Sequence, residues 1–333
     1  MKRFGALILA VGMIFGSLML RNSLDTKSQT SNASGGSNSV DPDKAFRLTC
    51  ASDLEVVCKG LEGANPALTV TIEQAGITAD RLTALADGGD PGFDAWLTVG
   101  PWAEIVQDNR SFTANAGEVL ETPSAVLASS SADIVTLKTD EQALTDSCGG
   151  AITWKCLGEN QSLPQPQSIG MPSPNTGAGL AVLADATNSY FSADDYSAAD
   201  FEDPAFISWF SQLTKNPQNS QLGAQTVLVR ALTAAGTYTT VGALSSEVAS
   251  LPTSSRRFGV ISPPKDAPAQ PVIAQVRLVP AQGIDTKSAV NQIDQEALTK
   301  LLEGSGWNTS SPDQASNMPE PGVLQVLREM WAA

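Results

Sequence analysis

From Phe46 onward, short runs of alternating apolar residues give way again and again to stretches with an apolar position every three or four residues. "FRLT" (46–49) predicts a strand, followed by a helix to Gly63 that Ser52 or Asp53 is placed to cap. "LTVTIEQ" (68–74) alternates β-branched residues and predicts a second strand. An amphipathic helix is expected over 78–88, capped by Thr78 and stopped by Gly88. "FDAWLTV" (93–99) is a third strand, and Pro101 opens the next helix. This β-α-β-α rhythm predicts an α/β fold with a mostly parallel sheet. The texture then changes. "AVLASSSADIVTLK" (125–138) reads as one long extended stretch, and helices are expected near 203–215 and 220–233. Strands follow at 258–264 and 271–281, then helices at 286–302 and 320–331.

One stretch is over-equipped for an ordinary turn. "MPSPNTGAG" (171–179) precedes the apolar run Leu180–Leu183 and carries two prolines, Asn175, Thr176 and two glycines. Pro172 and Pro174 hold the approach extended, while Gly177 and Gly179 let another group come close to the backbone. A helix start also offers unpaired N–H groups and a partial positive charge, which suits a ligand wall. The plainer alternative is a capped helix after a proline turn.

Composition narrows the chemistry. A formal charge of −15 makes nucleic acid a poor partner, because its binding depends on neutralising phosphates. There is no histidine, which removes the commonest general base and the usual zinc ligand. The four cysteines fall as two local pairs, Cys50 with Cys58 and Cys148 with Cys156. Three connectivities exist, and short loops close most easily, so two local disulfides are expected, in an oxidising compartment. Met1-Lys2-Arg3 precedes 17 residues without a charge, Phe4 to Leu20, and no small-x-small cleavage signal follows. The expectation is a single-pass membrane anchor over 1–21, with a Ser/Asn/Gly-rich tether over 22–45 and the folded body extracellular (secreted if the segment is cleaved).

The order of "CASDL", "ANPALTVTIEQAG", "DPGFDAWLTVG", "SPNTGAGLAVL" and "GVISPPKDAPAQPVIAQVRLV" resembles the two-lobed (type II) periplasmic-binding-protein-like solute-binding proteins of ABC transporters, the kind with molybdate- and sulfate-binding members. The likeness runs from Phe46 to the C-terminus. "SCGGAITWKCLGE" and "PEPGVLQVLREMW" further resemble an actinobacterial subgroup in which such a module precedes a von Willebrand factor A domain. The sequence ends at Ala333, so that domain is expected either on a separate chain or not at all.

The resemblance implies two lobes with a hinge, 46–128 with 250–333 as lobe I and 129–249 as lobe II. It implies a small-molecule ligand in the cleft between them, delivered to an ABC permease or reported to a membrane sensor; no cofactor or metal is expected. Candidate ligand-binding residues are then Ser52 and Asp53 at the first helix start, Thr98 and Trp102 at the end of the third strand, Ser129 and Ser130 where the chain crosses between lobes, and Thr176 and Gly177. Ser131, Tyr238 and Thr239 are weaker candidates, and Trp96 is expected in the core. Asp53 would repel an anion, which counts against a simple oxyanion ligand. Two other functions compete. An enzyme would need a Ser–Lys pair or paired carboxylates, but Ser131 and Lys138 on one strand lie over about 20 Å apart. A surface adaptor working with a separate von Willebrand-type protein needs no ligand at all.

Overall fold

The computed structural model describes residues 45–112, 117–159, 169–214, 224–233, 238–252, 258–261 and 270–332. The expected anchor (1–21) and nearly all of the tether lie outside those residues, as do 215, 220–223 and 262–264 of the expected elements. No helix among the described residues is long and apolar enough to cross a membrane.

Among the described residues, eight strands build the sheet: β1 (Phe46–Ala51), β2 (Leu68–Glu73), β3 (Ala95–Val99), β4 (Ala128–Leu137), β5 (Ile169–Gly170), β6 (Thr240–Leu244), β7 (Phe258–Ile261) and β8 (Ile273–Pro280). Their order is β2-β1-β3-β8-β4-β6-β5, with β7 also on β4. The first three strands are parallel, as the alternation with helices requires. The expectation of a mostly parallel sheet fails beyond them: β8 returns antiparallel between β3 and β4, and β6 and β7 pair antiparallel with β4, while β5 alone pairs in parallel, with β6. Strands that come back from a distant part of the chain need no βαβ crossover, so their direction left no trace in local periodicity.

β4 belongs to two half-sheets. Its first part, Ala128 to Ser131, pairs with β8, and its second part, Ala132 to Leu137, lies between β6 and β7. The chain therefore leaves the first half along β4 and comes back into it along β8. The stretch after residue 307 straps this crossing: Ser129 and Asn308 exchange backbone hydrogen bonds, and the Ile273 amide donates to the Ser316 carbonyl.

The helices are α1 (Glu55–Ala64), α2 (Ala75–Thr83), α3 (Trp102–Ser111), α4 (Glu141–Ser147), α5 (Trp154–Glu159), α6 (Gly177–Phe191), α7 (Pro204–Thr214), α8 (Ala224–Thr233), α9 (Ser245–Ala249), α10 (Thr286–Asn291), α11 (Gln295–Gly304) and α12 (Pro321–Ala332). Two expected boundaries move. α2 runs from Ala75 to Thr83, so Gly88 is not its stop, and Thr78 is not its cap but a buried residue inside it whose hydroxyl donates to Glu73 at 2.6 Å. The helix expected over 286–302 is broken in two, because Asp294 starts a new one by accepting from the Ala297 amide at 3.0 Å. The buried Arg110 satisfies carbonyls around the end of α2, at Leu82, Thr83 and Leu85, and also that of Gly117.

Both expected disulfides are present. Cys50–Cys58 ties the end of β1 to α1, and Cys148–Cys156 ties α4 to α5. The main core runs from the β1–β3 layer through α6 into an aromatic cluster around Tyr190, Phe191, Phe206 and Trp209. α6 is buried on every side from Gly177 to Asn188, which accounts for a sequence there that lacks a polar face.

Candidate functional site

Building the site begins with the loop over 171–176. The Thr176 side chain caps α6 by accepting from the Gly179 amide at 3.0 Å, and its hydroxyl donates to the Ser173 carbonyl at 2.9 Å. Capping therefore consumes the hydroxyl of Thr176, a residue only 2% exposed. The next two amides, Gly177 and Ala178, point across to the first half of the molecule. There the Asp53 carboxylate takes one on each oxygen, both at 2.9 Å.

Asp53 sits in a 3-10 turn (Ser52–Leu54) between β1 and α1. The expectation that Ser52 or Asp53 caps α1 is not met: the residue before α1 is Leu54, and no side chain caps it. Loss of solvent pushes the Asp53 carboxyl above its usual range, and the amides of Ala178 and Gly177 pull it back. Charge–dipole attraction offsets part of the cost of that burial, since the carboxylate meets the positive end of a fifteen-residue helix.

Close packing surrounds this contact. A Cβ on Gly177 would lie 2.5 Å from both the Cβ and the carbonyl oxygen of Val99, so the helix start rests directly on the end of β3. The Gly76 amide at the start of α2 donates to the Asn175 carbonyl at 2.8 Å. Arg328 on α12 donates to the Asn175 side chain at 2.7 Å and pairs with Asp80, while its guanidinium lies 5.5 Å from the centre of the Trp102 ring. Asp53, Thr176, Gly177, Trp102 and the β3 end are thus brought to one place. Of the rest, Thr98 is buried on β3, and its hydroxyl and the Trp102 indole N–H find no partner among the described residues.

The crossing-point serines do something else. Ser130 accepts from the Ser246 amide at 2.9 Å, which fixes the start of α9 to β4. Ser245 donates to Asp133 and accepts from Ser131, whose oxygen lies 2.7 Å from that of Ser245 and 3.3 Å from Asp133. The buried Ser129 hydroxyl has no partner among the described residues. Tyr238 packs in a separate small core with Val135, Val227 and Val241, and Trp96 is in the core as expected.

Arg328 is not among the sequence-expected residues, because a single cation on a helix otherwise packed by Leu324 and Leu327 carries no local signal. Nor is Asp185 of α6, which accepts from the Trp154 indole at 2.8 Å and from the Val272 amide at 3.1 Å. Burial pushes Asp185 up to about 7, its two donors oppose the shift, and nearby Asp133 adds to it. A lone acid within an apolar helix was the available signal. No group of three or more potential metal ligands occurs among the described residues.

Two half-sheets joined by β4 and β8, with a helix N-terminus facing the β1 turn across the boundary, define the periplasmic-binding-protein-like fold. Solved structures to which the chain is similar bear this out. One is AfuA of Actinobacillus pleuropneumoniae, a periplasmic binding protein with fructose-6-phosphate bound: 13% identity over 82% of this chain and 88% of that one, TM-score 0.53. Another is iron-bound HitA of Pseudomonas aeruginosa, 11% identical over 86% and 97%, TM-score 0.55. A third is an ABC transporter solute-binding protein of Agrobacterium radiobacter K84 in complex with ribitol, 13% identical over 86% of each chain, TM-score 0.53. No family model and no curated protein matches the chain.

Proposed function

We propose that the protein is an extracytoplasmic solute-binding protein that captures a small polar solute between its two lobes and performs no catalysis. Lobe I is formed by 46–128 with 250–333 and lobe II by 129–249. Residues 1–21 anchor it to the membrane and 22–45 tether the body outside the cell, where an ABC permease would receive the ligand. The observation carrying this reading is the start of α6, whose amides face the turn after β1 across the line where the chain changes half-sheets. Closure about β4 and β8 would bring these walls together around a ligand.

A second reading is favoured by the same contact. Because the α6 amides are already engaged by Asp53, the lobes can hold each other closed without a ligand, as suits an adaptor for a separate von Willebrand factor A domain protein. The two readings part in a thermal-shift panel on the full-length chain with disulfides intact, covering polyols, sugars, amino acids, polyamines and oxyanions. Capture predicts that one class raises the midpoint, by about 2.7 kcal/mol of stabilisation at 100 times its dissociation constant. A flat panel would contradict capture and favour the adaptor.

A further inference from the structure

We infer that Asp53 is a built-in occupant of the α6 seat: its carboxylate takes the position of an external carboxylate or oxyanion, and so it is the residue that excludes anions from the site. Three features converge on this. Each carboxylate oxygen accepts one amide at 2.9 Å, the way a free carboxylate is held at a helix start. The partners are more than 120 residues away and in the other half-sheet, while Asp53's own helix makes no use of it as a cap. And the six ion pairs among the described residues do not include Asp53, so the helix terminus itself is the group that answers its charge. The nearby guanidinium of Arg328 is matched instead by Asp80.

The seat is polar and built for two oxygens, and the residue that fills it is tethered to the chain. A tethered carboxylate has a high effective concentration at its own site, so free anions compete poorly. The inference concerns the same seat as the proposed capture function and narrows its ligand to solutes that carry no negative charge there. Its test needs no knowledge of that ligand.

Asp53→Ala removes one carboxylate's worth of atoms, and formate restores them. In the full-length chain, Asp53→Ala should lower the thermal midpoint by several degrees. Formate should restore more than half of that loss saturably, while chloride at the same ionic strength should not, and the unmodified protein should ignore formate. Asp53→Asn keeps the side-chain volume, so it should lose stability without responding to formate. Should Asp53→Ala fail to fold in chloride, it must fold in formate. Failure in both, a response equal in chloride, or an equal response of Asp53→Asn would overturn the inference. Formate rescue with a flat ligand panel keeps Asp53 as occupant and discards capture; a panel hit without rescue does the reverse.

Discussion

Gly179→Ala should destabilise the protein by more than about 3 kcal/mol, read as a shift of the urea midpoint at unchanged slope. The new Cβ would lie 1.9 Å from the Ser173 carbonyl oxygen, a distance no packing adjustment of side chains can relieve. That carbonyl cannot retreat cheaply, because it accepts from both the Thr176 amide at 3.0 Å and the Thr176 hydroxyl at 2.9 Å. Either the cap opens or the first turn of α6 unwinds, and in both cases the Asp53 contact next to it goes too. Gly63 in α1 is the control: nothing lies within 4 Å of its added Cβ, so Gly63→Ala should be neutral or stabilise by up to about 1 kcal/mol. Equal, small effects of the two substitutions would contradict this reading of the loop.

The second large effect is on pH. Asp185 is pushed from 3.8 up to about 7 by burial, so the folded state holds its proton more tightly than the unfolded chain does. The contribution is fully present below pH 4 and is lost as the pH rises to about 7, roughly 4 kcal/mol over that window. Asp53 and Asp133 shift in the same direction through loss of solvent and steepen the fall. Asp90, Asp200 and Asp285 are held below their usual range by hydrogen bonds, chiefly from backbone amides, and cost stability at the acid end. Unfolding free energy should therefore peak near about pH 4 and decline toward pH 8. Asp185→Asn should flatten that decline by about half or more. At neutral pH its own cost should be small, since it relieves a buried charge but turns an NH2 toward the Trp154 indole or the Val272 amide. An unchanged slope in Asp185→Asn would show that other groups set the pH dependence. Since Asp185 links α6 to the start of β8, its titration acts where the two half-sheets join.

The parts of the fold that were legible are those in which local pattern and tertiary need agree. β1, β2 and β3 repeat a simple alternation and appear within two residues of where it places them. The disulfides followed from loop length alone. The return of β8 was not legible as antiparallel, because a strand's apolar residues say nothing of which neighbour it meets. At the candidate site, "MPSPNTGAG" was expected as a ligand wall, and what the fold shows is the plainer alternative of a capped helix: its glycines are required by Ser173 and Val99, and Thr176 serves the helix. Asp53 was legible as a candidate at the first helix start. Its direct contact with Gly177 and Ala178 depends on how the halves close, which no local pattern encodes.

The central claim is that two lobes close upon each other about β4 and β8, held at the α6 seat by Asp53. Its most direct measurement is the distance between spin labels on Ile77→Cys in α2 and Ile207→Cys in α7, both exposed positions, with the native disulfides intact. With Asp53 in place the expected result is a single narrow distribution. In the Asp53→Ala background it should become longer and broader, and it should contract again in formate. Identical narrow distributions in both backgrounds would mean that the halves form one rigid body, and neither capture by closure nor the latch at Asp53 would stand.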